Sequence, residues 1–177
     1  MRTLILLAAA LMIFGCAVGQ PTYIYVDSVA AGSAAGMNKY YLLAEARPFY
    51  GVIDSGNDTA YGRRRHEKFV ILTDRILQAQ GFEKVDSPES AELIVMLEYG
   101  VEVMRVGNRT ERTSTVQITA FDWEAVRDTD RRNALWRTHA YMDGSSGGLS
   151  HVIPMLLEAA QPYVGTSTDG VAEVIVN

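Results

Sequence analysis

LIVMLEY, residues 93–99, sets Glu98 as the lone charged residue in a run of Leu, Ile, Val, Met and Tyr. A continuous apolar run of this length reads as a strand covered on both faces, and therefore as an interior strand of a sheet. The two segments that follow it alternate instead. In 112–123 (RTSTVQITAFDW) Val116, Ile118 and Ala120 point one way and Thr115, Gln117 and Thr119 the other, so one face packs and the other meets water. In 134–142 Trp136, Ala140 and Met142 oppose Arg137, His139 and Tyr141, which puts His139 on the solvated face. The charged turn 127–133 is expected to join these two strands as a hairpin.

Upstream, 66–80 carries Phe69, Leu72, Ile76 and Ala79 at three- and four-residue spacing with Leu77 beside them, one apolar stripe of a helix. His66 is expected to start that helix on the surface. Gly81 follows as a left-handed cap, and Phe82 can fold back on the stripe. The turn 86–90 (DSPES) then leads into 93–99. Nearer the N-terminus, Tyr23-Ile24-Tyr25-Val26 within 20–29 has strand composition. The small-residue stretch 30–37 reads as a loop, and 40–44 as a second strand or a short helix. Residues 47–65, with Pro48, Gly51, Gly56 and Gly62, read as a long loop that ends in Arg63-Arg64-Arg65, a solvated cluster ahead of the helix.

Downstream, 144–148 (GSSGG) is a tight turn before a helix over 150–161 with Val152, Ile153, Leu156, Leu157 and Ala160 inward. Pro154 is placed near its first turn, where backbone donors lack helical partners, and Pro162 ends it. Residues 171–176 (VAEVIV) close the chain as a strand. The expectation is a single α+β domain: a largely antiparallel sheet of five or six strands with two helices packed on one face.

The first residues call for a different reading. Arg2 precedes eleven uninterrupted apolar residues, Leu4 to Phe14, then Gly15 and Cys16, the only cysteine in the chain. A helix of that run spans about 16 Å, roughly half a bilayer's hydrocarbon thickness, so it reads as a removed export signal. Ile13-Phe14-Gly15-Cys16 resembles the bacterial lipobox, with Phe14 a departure from it. The resemblance implies acylation of Cys16 and several lipid chains, an attachment far firmer than one chain provides. Residues 1–16 are then a lipoprotein signal peptide and 17–177 one envelope domain. Ala17, by analogy with enterobacterial sorting, favours the outer membrane, facing the periplasm. The alternative is ordinary cleavage after Ala17-Val18-Gly19.

Without Arg2 the balance is 15 basic residues against 21 acidic ones, a net charge of −6. That speaks against nucleic acid and against electrostatic docking to anionic lipid. With one cysteine no intramolecular disulfide can form. Three scattered histidines and no C-x-x-C leave no metal constellation, and no cofactor is expected.

Four sets of residues carry a family resemblance. They are Tyr25-Val26-Asp27-Ser28, then Gln80-Gly81-Phe82 leading into Ala91-Glu92-Leu93-Ile94-Val95, then Leu135-Trp136, and Gly147-Gly148-Leu149 through Pro162-Tyr163-Val164-Gly165. Together they resemble the bacterial lipoprotein family named domain of unknown function 4136. The resemblance implies an envelope lipoprotein with an α+β domain and no assigned activity.

One stretch matches a catalytic motif. Gly144 to Gly148 matches G-x-S-x-G with Ser146 as the nucleophile, between a strand and a helix. The histidine required downstream is missing, because His151 is only five residues on and His139 lies on the preceding strand. The same turn, Ser145, Ser146, Gly147 and Gly148, is a candidate weak anion site at a helix N-terminus, with no Walker lysine to make it a nucleotide site. Tyr40, Tyr41, Phe49, Tyr50 and Tyr61 are expected to pack or anchor the loop, with a binding surface as the alternative. The expected function is a membrane-anchored, non-catalytic envelope module that binds or scaffolds an envelope protein or cell-wall partner. A periplasmic small-ligand carrier is the alternative, and a hydrolase a third.

Overall fold

The computed structural model describes residues 22–43, 47–48, 60–106, 108–129, 133–144 and 148–176. The strands are β1 (Thr22–Ala30), β2 (Lys39–Leu42), β3 (Arg47–Pro48), β4 (Glu83–Lys84), β5 (Leu93–Val106), β6 (Arg109–Asp122), β7 (Ala134–Asp143) and β8 (Ala172–Val176). The helices are α1 (Ala60–Ala79), α2 (Trp123–Thr129) and α3 (Leu149–Ala160). The strands form one eight-stranded sheet in the order β4-β2-β5-β6-β7-β1-β8, with β3 paired to β5.

The α+β class agrees with the sequence, but the sheet is larger than five or six strands and mixed. From β5 to β8 every pairing is antiparallel, whereas β2 and β3 run parallel to β5 and β4 parallel to β2. The reason is topological. The chain leaves β2, passes through α1 and returns in the same direction, the crossover that parallel neighbours require. β3 and β4 are two residues each, too short to show a pattern. β5 extends well beyond Tyr99 because it pairs with β6 along its whole length, from Leu93↔Asp122 to Val106↔Arg109.

Period-two alternation divides the sheet into two faces. Leu93, Val95, Leu97 and Tyr99 of β5 align with Val116, Ile118 and Ala120 of β6 and with Trp136 and Ala140 of β7, and this face packs against α1 and α3. Phe69, Ile76 and Leu77 of α1 and Val152, Ile153, Leu156 and Leu157 of α3 are the buried helix residues opposite them. The run 93–99 is covered on both faces as expected: Ile94 and Met96 are buried on the other side, where α2 and Phe121 lie over them. Beyond α2 that second face is only partly open. Thr115 and Thr119 are buried, because their short side chains sit below the longer ones of Tyr141 and Arg137 on the neighbouring strand. The residues joining β6 to β7 begin as α2 rather than as the expected turn, and Asp122 caps it by accepting from the backbone N–H groups of Glu124 and Ala125.

α1 starts at Ala60, six residues before the expected helix start, so the three arginines lie on the helix rather than ahead of it. Its C-terminus is a complete Schellman motif: the Phe82 N–H bonds to Leu77 O, the Gly81 N–H to Gln78 O, and Gly81 has φ +89°. Pro154 stands at the sixth helical position of α3, past the first turn, and removes the helical donor to the Ser150 carbonyl.

A polar clasp closes the fold beside β1. Ser28 Oγ lies 2.8 Å from Thr138 Oγ1 and 2.9 and 2.8 Å from the carbonyls of Tyr163 and Thr166. Thr168 completes it: its N–H donates to Ser28 O, and its Oγ1 accepts from the Ser28 N–H. This fastens the segment after α3 onto the sheet and directs the chain into β8.

Candidate binding groove

One flank of α1 carries Arg64, Lys68, Ile71 and Arg75, spaced four, three and four apart and hence in line on the helix. That flank and the first turns of α3 enclose an open groove of about 690 Å³. Phe69, Leu72 and Pro154 form its apolar floor; Arg64, Arg65, Lys68 and Arg75 rim it, with Ser150 at the α3 side. None of the described lining residues is acidic. Arg64 and Lys68 are an i, i+4 pair of like charges, an arrangement that costs an isolated helix a few tenths of a kcal/mol. Among the described residues Arg64, Lys68 and Arg75 make no ion pair, although the chain as a whole is acidic. Ile71, at the groove's edge, is 52% exposed.

The base of α1 is held by a buried histidine rather than a surface one. His66 is buried, not a surface residue at the helix start: Nδ1 lies 3.0 Å from the Tyr99 hydroxyl, and the rings stack at 5.8 Å. With α1 starting six residues earlier, position 66 falls on the inward face, one turn before Phe69. Farther along, the Tyr40 hydroxyl donates to Asp74 Oδ1, and Asp74 Oδ2 accepts from Lys84 Nζ at 2.9 Å. Burial, and then the Asp74 carboxylate, push the Tyr40 phenol far above its ordinary pKa, so it remains a donor.

The residues singled out from the sequence do not converge. Cys16, Ser145, Ser146 and Gly147 lie outside the described residues, as do Phe49 and Tyr50 and the Tyr61 side chain. Gly148 is the N-cap of α3, and its carbonyl accepts from His151 and Val152. Of the candidate anion turn, the groove thus meets only the helix that follows it, at Ser150. Tyr40 is fully buried in the core and Tyr41 faces the opposite side of the sheet, so the aromatics are not one surface.

The histidines are spread over three places. His66 is under α1, His151 is exposed on α3, and His139 is on the second face of the sheet. His139 bonds Thr115 Oγ1 and is mostly covered; burial first, then the Arg137 charge, lower its pKa, with Asp27 opposing. Among the described residues no group of His, Cys, Asp or Glu could hold a metal ion, and no helix is long and apolar enough to cross a membrane.

An eight-stranded mixed sheet carrying two long helices on one face and a short one on the other defines a two-layer α+β protein. A DUF4136 family protein from Bacteroides thetaiotaomicron shares this fold, with 10% identity and a TM-score of 0.50 over 81% of this chain and 98% of that one. That likeness agrees with the family resemblance seen in the sequence. A PDZ domain protein from Parabacteroides distasonis has a TM-score of 0.52 at 12% identity over 94% of this chain, which spans 42% of that longer chain. A PelC dodecamer from Paraburkholderia phytofirmans has 15% identity and a TM-score of 0.47, over 82% of this chain and 99% of that one. No family model and no curated protein matches the sequence.

Proposed function

We propose that the chain is a non-catalytic binding module of the bacterial envelope, tethered by acylated Cys16 and presenting the α1–α3 groove to an anion-bearing partner. The observation that carries the reading is the groove itself: aligned cations on an apolar floor, with no carboxylate among its described lining residues. A like-charged helix flank is relieved when an anion binds it. For the tether the support is the lipobox-like Ile13-Phe14-Gly15-Cys16 and the start of β1 at Thr22, six positions beyond Cys16.

Mass spectrometry of the mature N-terminus tests the tether. The expected species begins at Cys16 and carries acyl chains; a free peptide beginning at Gln20 overturns it. For the groove, the wild type and an Arg64→Gln, Lys68→Gln, Arg75→Gln variant are compared as baits in solubilised envelopes. A reproducible component recovered by the first and lost from the second is expected; equal recovery by both overturns the assignment.

The carrier reading has one observation in its favour, on the other face of the sheet. Tyr41, Leu43, Ile94, Met96, Phe121 and Trp123 line an apolar cavity of about 190 Å³, and the buried Trp123 Nε1 has no hydrogen-bond partner among the described residues. Such a space suits a small apolar molecule with a single acceptor. A rise in thermal midpoint with such molecules, abolished by Met96→Trp, would favour it.

A further inference from the structure

We infer that the anion taken by the α1–α3 groove is the headgroup phosphate of the membrane's own anionic phospholipid, so that the tethered domain lies with this groove against the bilayer. The inference rests on the tether proposed above. Five residues separate Cys16 from Thr22, and the six residue steps between them reach at most about 20 Å. The end of the sheet where β1 starts is therefore held near the headgroups.

The pairings put the Arg64, Lys68 and Ser150 part of the groove at that same end. Tyr25 pairs with Tyr141, so β1 starts where β7 stops at Asp143, and α3 begins at Leu149 after a short connection. α1 runs away from this end. His66 meets Tyr99, which aligns through Val116 and Ala140 with Val26, whereas Phe82 past its C-terminus packs on Trp136, level with Ala30. Arg64 and Lys68, on the first half of α1, thus lie toward the tether.

The chemistry matches an interface between charge and hydrocarbon. Guanidinium and ammonium groups engage phosphate, and the stems of such side chains tolerate apolar surroundings. Ile71, exposed at the rim, meets the boundary below the headgroups. On the second face Tyr23 and Ile175, paired across β1 and β8 beside the tether, are likewise exposed, so the tethered end presents apolar groups of its own. The acidic net charge opposes docking only when averaged over the molecule. Grouping cations on one helix flank reverses the sign locally, within the Debye length over which charge acts.

The test uses the full, lipid-bearing chain reconstituted on vesicles of phosphatidylcholine, alone or mixed with phosphatidylglycerol. An environment-sensitive fluorophore is placed on Ile71→Cys, or on Glu89→Cys at the far end as a control. The expected result is a blue shift at position 71 that appears only with phosphatidylglycerol, is absent at position 89, and is lost in molar salt. Replacing Arg64, Lys68 and Arg75 by Gln weakens the docked state by roughly fivefold per cation, whereas Arg64→Lys with Arg75→Lys retains it. Circular dichroism of each variant verifies the fold. An equal signal on both vesicle types, or a shift evoked by inorganic phosphate over phosphatidylcholine alone, overturns the inference; the latter assigns a soluble anion. Flotation on phosphatidylcholine and the mass of the N-terminus read the tether separately. A chain that floats there without a groove response loses the docking alone. One that binds only phosphatidylglycerol, through the three cations, loses the tether and keeps the groove.

Discussion

His66 on α1 stacks against Tyr99 on β5, with Nδ1 3.0 Å from the phenol oxygen, and Phe69 meets the same ring edge-on at 5.0 Å. Through this contact the first turns of α1, which carry Arg64 and Lys68, are fixed to the middle of the sheet. His66→Ala is expected to cost about 2 kcal/mol by removing a stacked ring and a buried hydrogen bond. Hydrogen exchange should quicken in 60–68 more than in 72–79. Tyr99→Phe keeps the ring and should cost about half as much.

Ser28→Ala is expected to destabilise the protein by about 1–3 kcal/mol, because the buried Thr138 hydroxyl and the part-buried carbonyls of Tyr163 and Thr166 lose the hydroxyl they share. Thr138→Val acts on the same clasp. Denaturant melts of the double variant should show a loss smaller than the sum of the single ones, since the two hydroxyls bond each other. Additive losses would mean that they act independently.

Gly165 has φ +74°, and a Cβ there would come within 2.8 Å of Phe82 Cζ. Phe82 is itself hemmed in by Trp136 at 5.7 Å and Tyr40 at 6.5 Å, so the ring has little room to move. Gly165→Ala should therefore cost more than Gly36→Ala, which meets only the left-handed backbone penalty of about 1 kcal/mol. A thermal-melt comparison of the two, with similar losses, would show that Phe82 yields.

His139 is covered on its face of the sheet and its folded pKa lies below the ordinary imidazole value, through burial and then Arg137. The unfolded chain accordingly takes up this proton first as pH falls. Stability from this group is complete above about pH 6.5 and declines as pH drops below that value toward the folded pKa. His139→Gln should flatten that part of the stability–pH curve, measured by urea melts. Glu92 acts in a lower window: its carboxylate accepts from the N–H groups of Lys39 and Asn38, which lower its pKa, so its contribution is lost as pH falls below about 4.5. Glu92→Gln should remove that lower step and leave the upper one.

Much of the architecture was legible in local pattern. The runs at 93–99, 112–123 and 134–142 became interior strands with the faces their alternation assigned, and Gly81-Phe82 closed α1 as its cap chemistry demanded. The β5–β6 hairpin had a signal too, in Gly107-Asn108 between Val106 and Arg109, which pair in register. The start of α1 was not legible, because Gly62 and three adjacent arginines break the apolar periodicity that marks its later turns. Nor was the burial of His66, which depends on where the helix begins.

The sequence by itself determined the α+β class, the division of each strand into two faces, the stripe on α1 and the acidic total charge, since these depend on neighbours along the chain. Tertiary structure alone decided that β2 runs parallel to β5, that Ser28 and Thr138 share a clasp with residues after α3, and that the cations of α1 face Ser150 and Pro154 across a groove. Each joins residues far apart in the chain, and no local periodicity encodes a distance across the fold. Net charge sums over all positions, whereas a ligand meets only the side chains that packing has gathered on one surface.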